Sequence, residues 1–528
     1  MNNVGFINVY PYRPHGHQAY FVKEIILKEF PGAKTYSLNC SGHAKTCYLR
    51  ELKGTGKSEC IKCHFGGLNS FSFDVNESVS EYIKNDVSIQ NNVSDFDYNS
   101  LVKSSSYTLA RIESFEDCES EDVLYYQRLL HDGAKDFFIA VTNWIKKNNI
   151  ELLVLFNGRM DYTRSALEAA KSFGIPCITH ERPLFGHGLI LNLNDNCSSL
   201  RNIHRINLDY RDKPLNDKQA LYASSLLAQR FVGKNDLEWK KYNDNPNSVS
   251  TWPTESKRKI LVCPSSKNEL LGHPDWNTPW KNNTDALDIL IDENKIDVSE
   301  LVVRFHPSWS VSFGKSSARK CIKHYQDWCD RRKVHFIPSD SSANTRDLIY
   351  LSDIVILNGS NTILEAGALG KPIVCLGPSP YTYSKASKDI LSYNDLNLLS
   401  IDETIKTNPQ DVIKYTLRYV YSKARREALF FDAVRSKSVV ECDYFEFQSE
   451  KEISQILKGE LIVNDASYSI DETEESKMVA YFSDFNLDNM LMLSSYSLED
   501  IFNDRYSIKR RGLYNVVDSI RNLSSKGV

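Results

Sequence analysis

Nothing in the 528 residues approaches the roughly 20 consecutive apolar positions that a helix needs to cross a bilayer, so no membrane-spanning helix is expected. The opening stretch, MNNVGFINVYPYRPHGHQ, lacks a basic segment followed by a long apolar one, so it does not read as a secretory leader. Positive charge is not in surplus either. The formal net charge is -4, which leaves no global field to recruit nucleic acid or anionic lipid, and no basic and aromatic residues interleave near the cysteines. No internal repeat is detectable. A cytoplasmic protein is therefore expected, and its twelve cysteines are expected to be reduced thiols or metal ligands, not a disulfide framework.

What is present is a two-domain composition, 41% hydrophobic and 25% charged, in a chain too long for one ordinary core. Residues 1–232 read as a first α/β domain carrying a cysteine insertion. Within it, IELLVLFNGR is a short buried strand, DYTRSALEAAKSFG a helix and IPCITHER the next strand, which is a parallel βαβ order. Residues 233–258, GKNDLEWKKYNDNPNSVSTWPTESKR, are polar and rich in breakers, and read as the linker. Residues 259–385 form a second alternating run, from KILVCPSS to KPIVCLG, and residues 386–528 read as a mostly helical appendage. The expected class is α/β, with doubly wound parallel sheets whose ligands lie beyond the carboxyl ends of the strands.

Three groups of residues sit at such ends in the second half. Ser265 and Ser266 close the strand KILVC. Arg304 and His306, in VVRFHP, lie two apart and so on one side of a strand, with Pro307 fixing the turn. In ILNGSNTILEAGALGKPIVCLG a strand turns into a helix at Ser360, Asn361 and Thr362, with Glu365 one turn on. Hydroxyls and N–H groups there suit an anionic ligand, and Glu365 a ribose diol; the alternative is a helix cap in which Glu365 completes a capping box.

Arg-x-His-Pro followed about 50 residues later by the NGSNTILEAGALGKPIV block resembles the C-terminal half of bacterial capsule-type glycosyltransferases of GT-B architecture, two facing Rossmann-like domains. Their relatives include Kdo and sialic acid transferases that use CMP-sugars. VLFNGRMDYTRSALEAAKSFGIPCITHER is similar to the Asn-Gly-Arg and Glu-Arg blocks of a capsular polysaccharide branch of that group. The resemblance covers about two thirds of the chain. It implies donor contacts from Ser265, Ser266, Arg304, His306, Ser360, Asn361, Thr362 and Glu365, with Asn157, Gly158, Arg159, Glu181 and Arg182 facing the cleft from the other domain. Lys267-Asn268 before Glu269, and Asn361 between Ser360 and Thr362, depart from the commonest pattern.

The activity so implied is sugar transfer from a nucleotide-activated donor, with a CMP-sugar such as Kdo or sialic acid favoured, to a growing capsular or lipopolysaccharide-type glycan or glycolipid. Phosphopolyol transfer from a CDP donor and a noncatalytic capsule-assembly role are the alternatives. Transfer requires a group to deprotonate the acceptor hydroxyl; Glu181 leads the candidates, then Asp161 and His180, and Glu181 could otherwise ion-pair with Arg159 or Arg182. Asp95-Phe96-Asp97 is an Asp-x-Asp pair away from any strand end, so transfer without a divalent metal is expected. His15 and His17 follow the first strand and could face the acceptor cleft.

The cysteine segment gives Cys-x6-Cys-x12-Cys-x2-Cys, Cys40, Cys47, Cys60 and Cys63, which suits a structural Zn²⁺ with His43 and His64 as substitute ligands; free thiols or a redox role remain open. Lys509, Arg510 and Arg511 form a basic cluster that suits either a solvated face or peripheral contact with the inner membrane or an assembly complex.

Overall fold

The computed structural model describes residues 1–10, 14–66, 70–83, 96–238, 251–311, 318–496 and 504–516. The first sheet contains β1 (Asn3–Asn8), β2 (Lys34–Asn39), β3 (Val75–Ser78), β4 (Leu152–Phe156), β5 (Cys177–Glu181) and β6 (Ile190–Leu193), ordered β3-β2-β1-β4-β5-β6. All neighbours pair parallel except β5 with β6. The second contains β7 (Ile260–Cys263), β8 (Leu301–Arg304), β9 (His335–Ile337), β10 (Ile354–Leu357), β11 (Ile373–Leu376) and β12 (Lys388–Ile390), ordered β12-β11-β10-β7-β8-β9 and wholly parallel. Both sheets therefore run outward from a central pair, β1 with β4 and β7 with β10, where the winding reverses.

The central strands are continuous apolar runs, LLVLF, ILVC, IVIL and IVCL, buried at every position. That is the pattern of a parallel sheet covered by helices on both faces, because each crossover returns a helix to one face or the other. The expected fold class, two facing Rossmann-like α/β domains with a helical C-terminal region, holds. Among the described residues no helix is long and apolar enough to cross a membrane.

Several segments lie across the boundaries read from the sequence. The helix Asp217–Phe231, before residue 232, packs its Ala220, Tyr222 and Leu227 into the second lobe's core with Leu261 and Val355. β12 joins the second sheet from beyond residue 385. Farther on, Leu429 bridges to Leu189 and Val434 and Tyr444 enter the core of the first lobe with Val4 and Ile178. Val479, Phe482, Met490 and Leu493 then pack into the second lobe's core, and Tyr506 and Ile508 return to the first, so the chain changes lobe four times. Most of the linker's middle, residues 239–250, and Asp95 lie outside the described residues. Within the basic cluster at 509–511, Arg510 is 2% exposed and donates to the Phe65 carbonyl at 2.7 Å, while Lys509 and Arg511 are exposed and the main-chain N–H of Arg511 donates to the Ser70 carbonyl.

The lobes meet through loops at the carboxyl ends of their strands. Trp276 Nε1 donates to the Ser198 carbonyl at 2.7 Å, and His273 Nε2 meets Asp195 at 3.2 Å. Arg111 donates to the carbonyls of Ser308 (3.0 Å) and Val311 (2.8 Å). Two residues on, Glu113 receives the main-chain N–H of Lys267 on both carboxylate oxygens, at 3.0 and 3.1 Å. This strap from the first lobe fixes the loops after β7 and β8.

Burial of Glu113 outweighs these hydrogen bonds and raises its carboxyl from 4.5 to about 7. The folded protein therefore holds that proton more tightly than the unfolded chain. The stabilisation is full below the ordinary carboxylate range and is lost as pH rises toward 7, amounting to about 3 kcal/mol over that window. Glu113→Gln should flatten this part of the pH profile, so that wild type loses thermal stability relative to the variant between about pH 4.5 and 7. Parallel profiles for the two proteins across that window would refute the assignment.

Candidate functional site

The loops after β7 and β10 lie side by side at the reversal point of the second sheet, because those strands pair directly. Asn358 bridges them, its Oδ1 accepting the Ser265 N–H at 2.6 Å. Gly359 follows with φ +100, a backbone that disfavours any side chain, and a Cβ there would come within 3.2 Å of the Trp276 ring. Its N–H donates to the hydroxyl of buried Tyr381 at 3.1 Å. Ser360 Oγ accepts the Thr362 N–H at 3.3 Å, and the two hydroxyls are 2.9 Å apart.

The helix that follows, Ile363–Ala368, has only six residues, so its dipole offers less than the sequence suggests. The positive charge comes instead from Lys267. Its side chain is 8% exposed, its ammonium lies 5.3 Å from the Trp276 ring centroid, and a Cβ on Gly359 would be 3.8 Å from Nζ. Among the described residues no carboxylate lies within 4.0 Å of that ammonium and no hydrogen bond reaches it. Burial lowers its pKa from the usual lysine value, outweighing the attraction of the Glu113 carboxyl.

His306 caps the turn after β8. Its Nδ1 accepts the Ser308 N–H at 3.1 Å and lies 2.7 Å from the Ser308 hydroxyl, which in a neutral ring leaves the proton on Nε2. Ser266 Oγ accepts from Trp309 Nε1 at 2.6 Å, joining the loops after β7 and β8. Asn361 is exposed at the turn.

Two of the expected donor contacts are turned inward. Arg304 is 5% exposed and spends its guanidinium on the carbonyls of Pro338 and Ser341 beyond β9. Glu365 is 5% exposed and paired through Oε1 with Arg230 (2.8 Å), which also binds Glu238. No capping box forms with Ser360 or Thr362.

On the first lobe, Asn157 and Gly158 both take positive φ after β4, and a Cβ on Gly158 would meet Thr179 at 2.9 Å. This turn sends the Asn157 amide back to Glu181 Oε2 at 2.7 Å, while Oε1 accepts the Arg182 N–H at 3.0 Å. Glu181 is partly exposed at the end of β5, and desolvation raises its carboxyl above the ordinary value despite those bonds and the charges of Arg159 and Arg182. Arg159 donates to Thr108 at 2.8 Å and Ser104 at 3.2 Å, and feels the charge of Glu269 from the opposite lobe. Arg182 turns away and donates to the Leu237 carbonyl.

The other first-lobe candidates lie deeper. Asp161 is 0% exposed, with Oδ1 accepting from Tyr10 and from the Tyr162 N–H and Oδ2 from the Tyr48 N–H, so it ties three segments together and cannot touch a ligand in the cleft. His180 is 1% exposed and His15 stacks on Phe156 at 3.7 Å; burial lowers both to about 3, which keeps them neutral. His17 packs edge-on to Phe71 at 5.0 Å. Glu113, Lys267 and Trp276 were not among the expected residues. Only Lys267 leaves a local signal, a basic residue directly after the Ser-Ser that ends a buried strand.

A scan against protein families finds no match, and neither does a search of curated proteins. Among solved structures, the chain is similar to KpsC, the beta Kdo 2,7 transferase of Thermosulfurimonas dismutans, at 14% identity over 65% of this chain and 88% of that one, with a TM-score of 0.32. The beta Kdo 2,4 transferase of the same KpsC aligns at 13% identity over 62% and 87%, with a TM-score of 0.32. A UDP-GlcNAc 2-epimerase of Neisseria meningitidis, bound to UDP-GlcNAc, aligns at 13% identity over 80% and 97%, with a TM-score of 0.26.

Proposed function

We propose that the protein is a glycosyltransferase that moves a sugar from a nucleotide-activated donor to a glycan or glycolipid acceptor. The observation that carries this reading is the Lys267 ammonium, nearly buried without a close counter-charge under the Gly359 turn. Burying a charge without an ion-pair partner costs free energy, and an anion at that turn would offset it. The Ser360 and Thr362 hydroxyls and the imidazole of His306 belong to neighbouring loops at the same end of the sheet. These groups suit a nucleotide phosphate, on which negative charge grows as the glycosidic bond breaks. On the other wall Glu181 takes the proton of the acceptor hydroxyl, held in place by Asn157. A CMP-linked acidic sugar is the donor favoured by the resemblance of the Arg-x-His-Pro and Ser-x-Thr blocks, and capsular or lipopolysaccharide-type glycan is the acceptor class.

Thermal stabilisation by CMP, CDP, UDP, GDP and ADP tests the donor. CMP should raise the melting temperature of wild type selectively, and Lys267→Met should weaken nucleotide binding by about 10- to 100-fold while stabilising the ligand-free protein, because an unpaired buried charge has been removed. His306→Ala should also bind more weakly. No shift with any of the five nucleotides would overturn the reading, and phosphate retained in the product would redirect it to phosphopolyol transfer.

Glu181→Gln should lower turnover by about 10²- to 10⁴-fold without changing nucleotide affinity. Since wild-type Glu181 must be ionised to act and its pKa is raised, activity should fall as pH drops through that raised value. With cationic groups of the chain serving the phosphate, EDTA should leave transfer intact; loss of activity restored by Mg²⁺ would contradict this.

A further inference from the structure

The four thiols of the cysteine segment come from three separate elements. Cys40 directly follows β2, Cys47 caps the helix Tyr48–Lys53, and Cys60 and Cys63 sit at i and i+3 on the helix Ser58–Gly66, hence on one face. All four line a single cavity of about 30 Å³, together with Arg50 and Tyr162. That volume takes one small occupant and no more.

Two further observations point to an anionic centre in it. Arg50 is 9% exposed, its Nε is buried without an acceptor, and among the described residues no carboxylate pairs with it; its one bond is from Nη1 to the Ala44 carbonyl at 3.1 Å. Gly42, in the loop between the first two cysteines, donates its N–H to Cys40 Sγ at 3.4 Å, and a Cβ at Gly42 would stand 3.6 Å from Cys60 Sγ. Glu59, which also lines the cavity, is already engaged by Thr55 (2.8 Å) and Lys62 (3.1 Å).

We propose that Cys40, Cys47, Cys60 and Cys63 bind one structural Zn²⁺ as a tetrahedral thiolate site. On binding, each thiol releases its proton to solvent, four Zn–S bonds form and no group is oxidised or reduced. The resulting centre has a formal charge of -2, and the Arg50 guanidinium and Gly42 N–H are placed to stabilise it. No three of the sulfurs lie within 4.8 Å of one another, so ligation involves a change of side-chain rotamer. One staggered step about χ1 carries a cysteine sulfur about 3 Å. Helix Ser58–Gly66 has few other apolar anchors, since Ile61 and Phe65 are 59% and 51% exposed. The metal would therefore fasten it to β2.

Metal analysis of the full-length protein purified without chelator, and again after incubation with zinc and desalting, tests the proposal. Wild type should retain about one equivalent of zinc, and Cys60→Ser/Cys63→Ser should retain less than about a tenth. Should the double variant fail to fold, cobalt-loaded wild type decides: sulfur-to-metal charge-transfer bands with intense tetrahedral d–d absorption support the site, and their absence opposes it. Wild type that takes up less than about a tenth of an equivalent even when zinc is offered would overturn the proposal. So would zinc that persists in a folded double variant, which would have to be held elsewhere, for example by Asp195, His273 and Asp275.

Discussion

The main chain of Lys267 is fastened to one lobe while its side chain serves the other. Glu113 reaches across from the first lobe to accept the Lys267 N–H, and the ammonium continues beneath the Gly359 turn of the second. Neither carboxylate nor ammonium is well solvated there, so each depends on how closely the lobes approach. Separating them would hydrate both, at the expense of the hydrogen bonds that hold the loop after β7. The contact therefore couples the geometry of the candidate anion site to lobe closure, and Arg111, two residues earlier, does the same for the loop that carries His306.

A second coupling runs through Arg230. It lies on the helix Asp217–Phe231, which precedes the interlobe segment in sequence yet packs into the second lobe, and it binds Glu365 on the short helix after the Ser360–Thr362 turn. A buried guanidinium between two carboxylates is costly to break, because removal of one partner strands the others. The turn is thus braced from below by an ion pair and from the side by Trp276 and Tyr381. A rigid backbone at this point means that a phosphate would meet hydroxyls already oriented, with little ordering left to do on binding.

The second lobe was legible because its strands are short apolar runs ending in Ser, His or Asn, and parallel pairing follows from strand-helix alternation. In the first lobe β2 and β3, KTYSLN and VNES, are more polar, and only pairing with β1 and with each other reveals them. Site positions were legible to the extent that they were local. Glu181 and Asn157 stand where two strand ends place them. Asp161 reads like a cleft carboxylate, but whether the first turn of its helix faces solvent or core is set by Tyr10 and Tyr48, more than 100 positions away in sequence. Glu365 was misleading for the same reason, its partner Arg230 lying 135 residues earlier.

Glu113 shows why a remainder is invisible in principle to a reading by motifs. ARIESFED contains neither a strand end nor a metal-ligand spacing, and nothing about it is special until a loop 154 residues downstream is folded against it. Groups of this kind arise wherever two lobes close on each other: burial perturbs the carboxyl, and the perturbation measures the closeness of the contact. A carboxyl raised toward 7 by such burial titrates near neutrality, where lobe separation would let it ionise and closure would favour its proton. Contact between the lobes at this point therefore favours the protonated carboxyl, because the Lys267 N–H that Glu113 accepts lies in a loop of the opposite lobe.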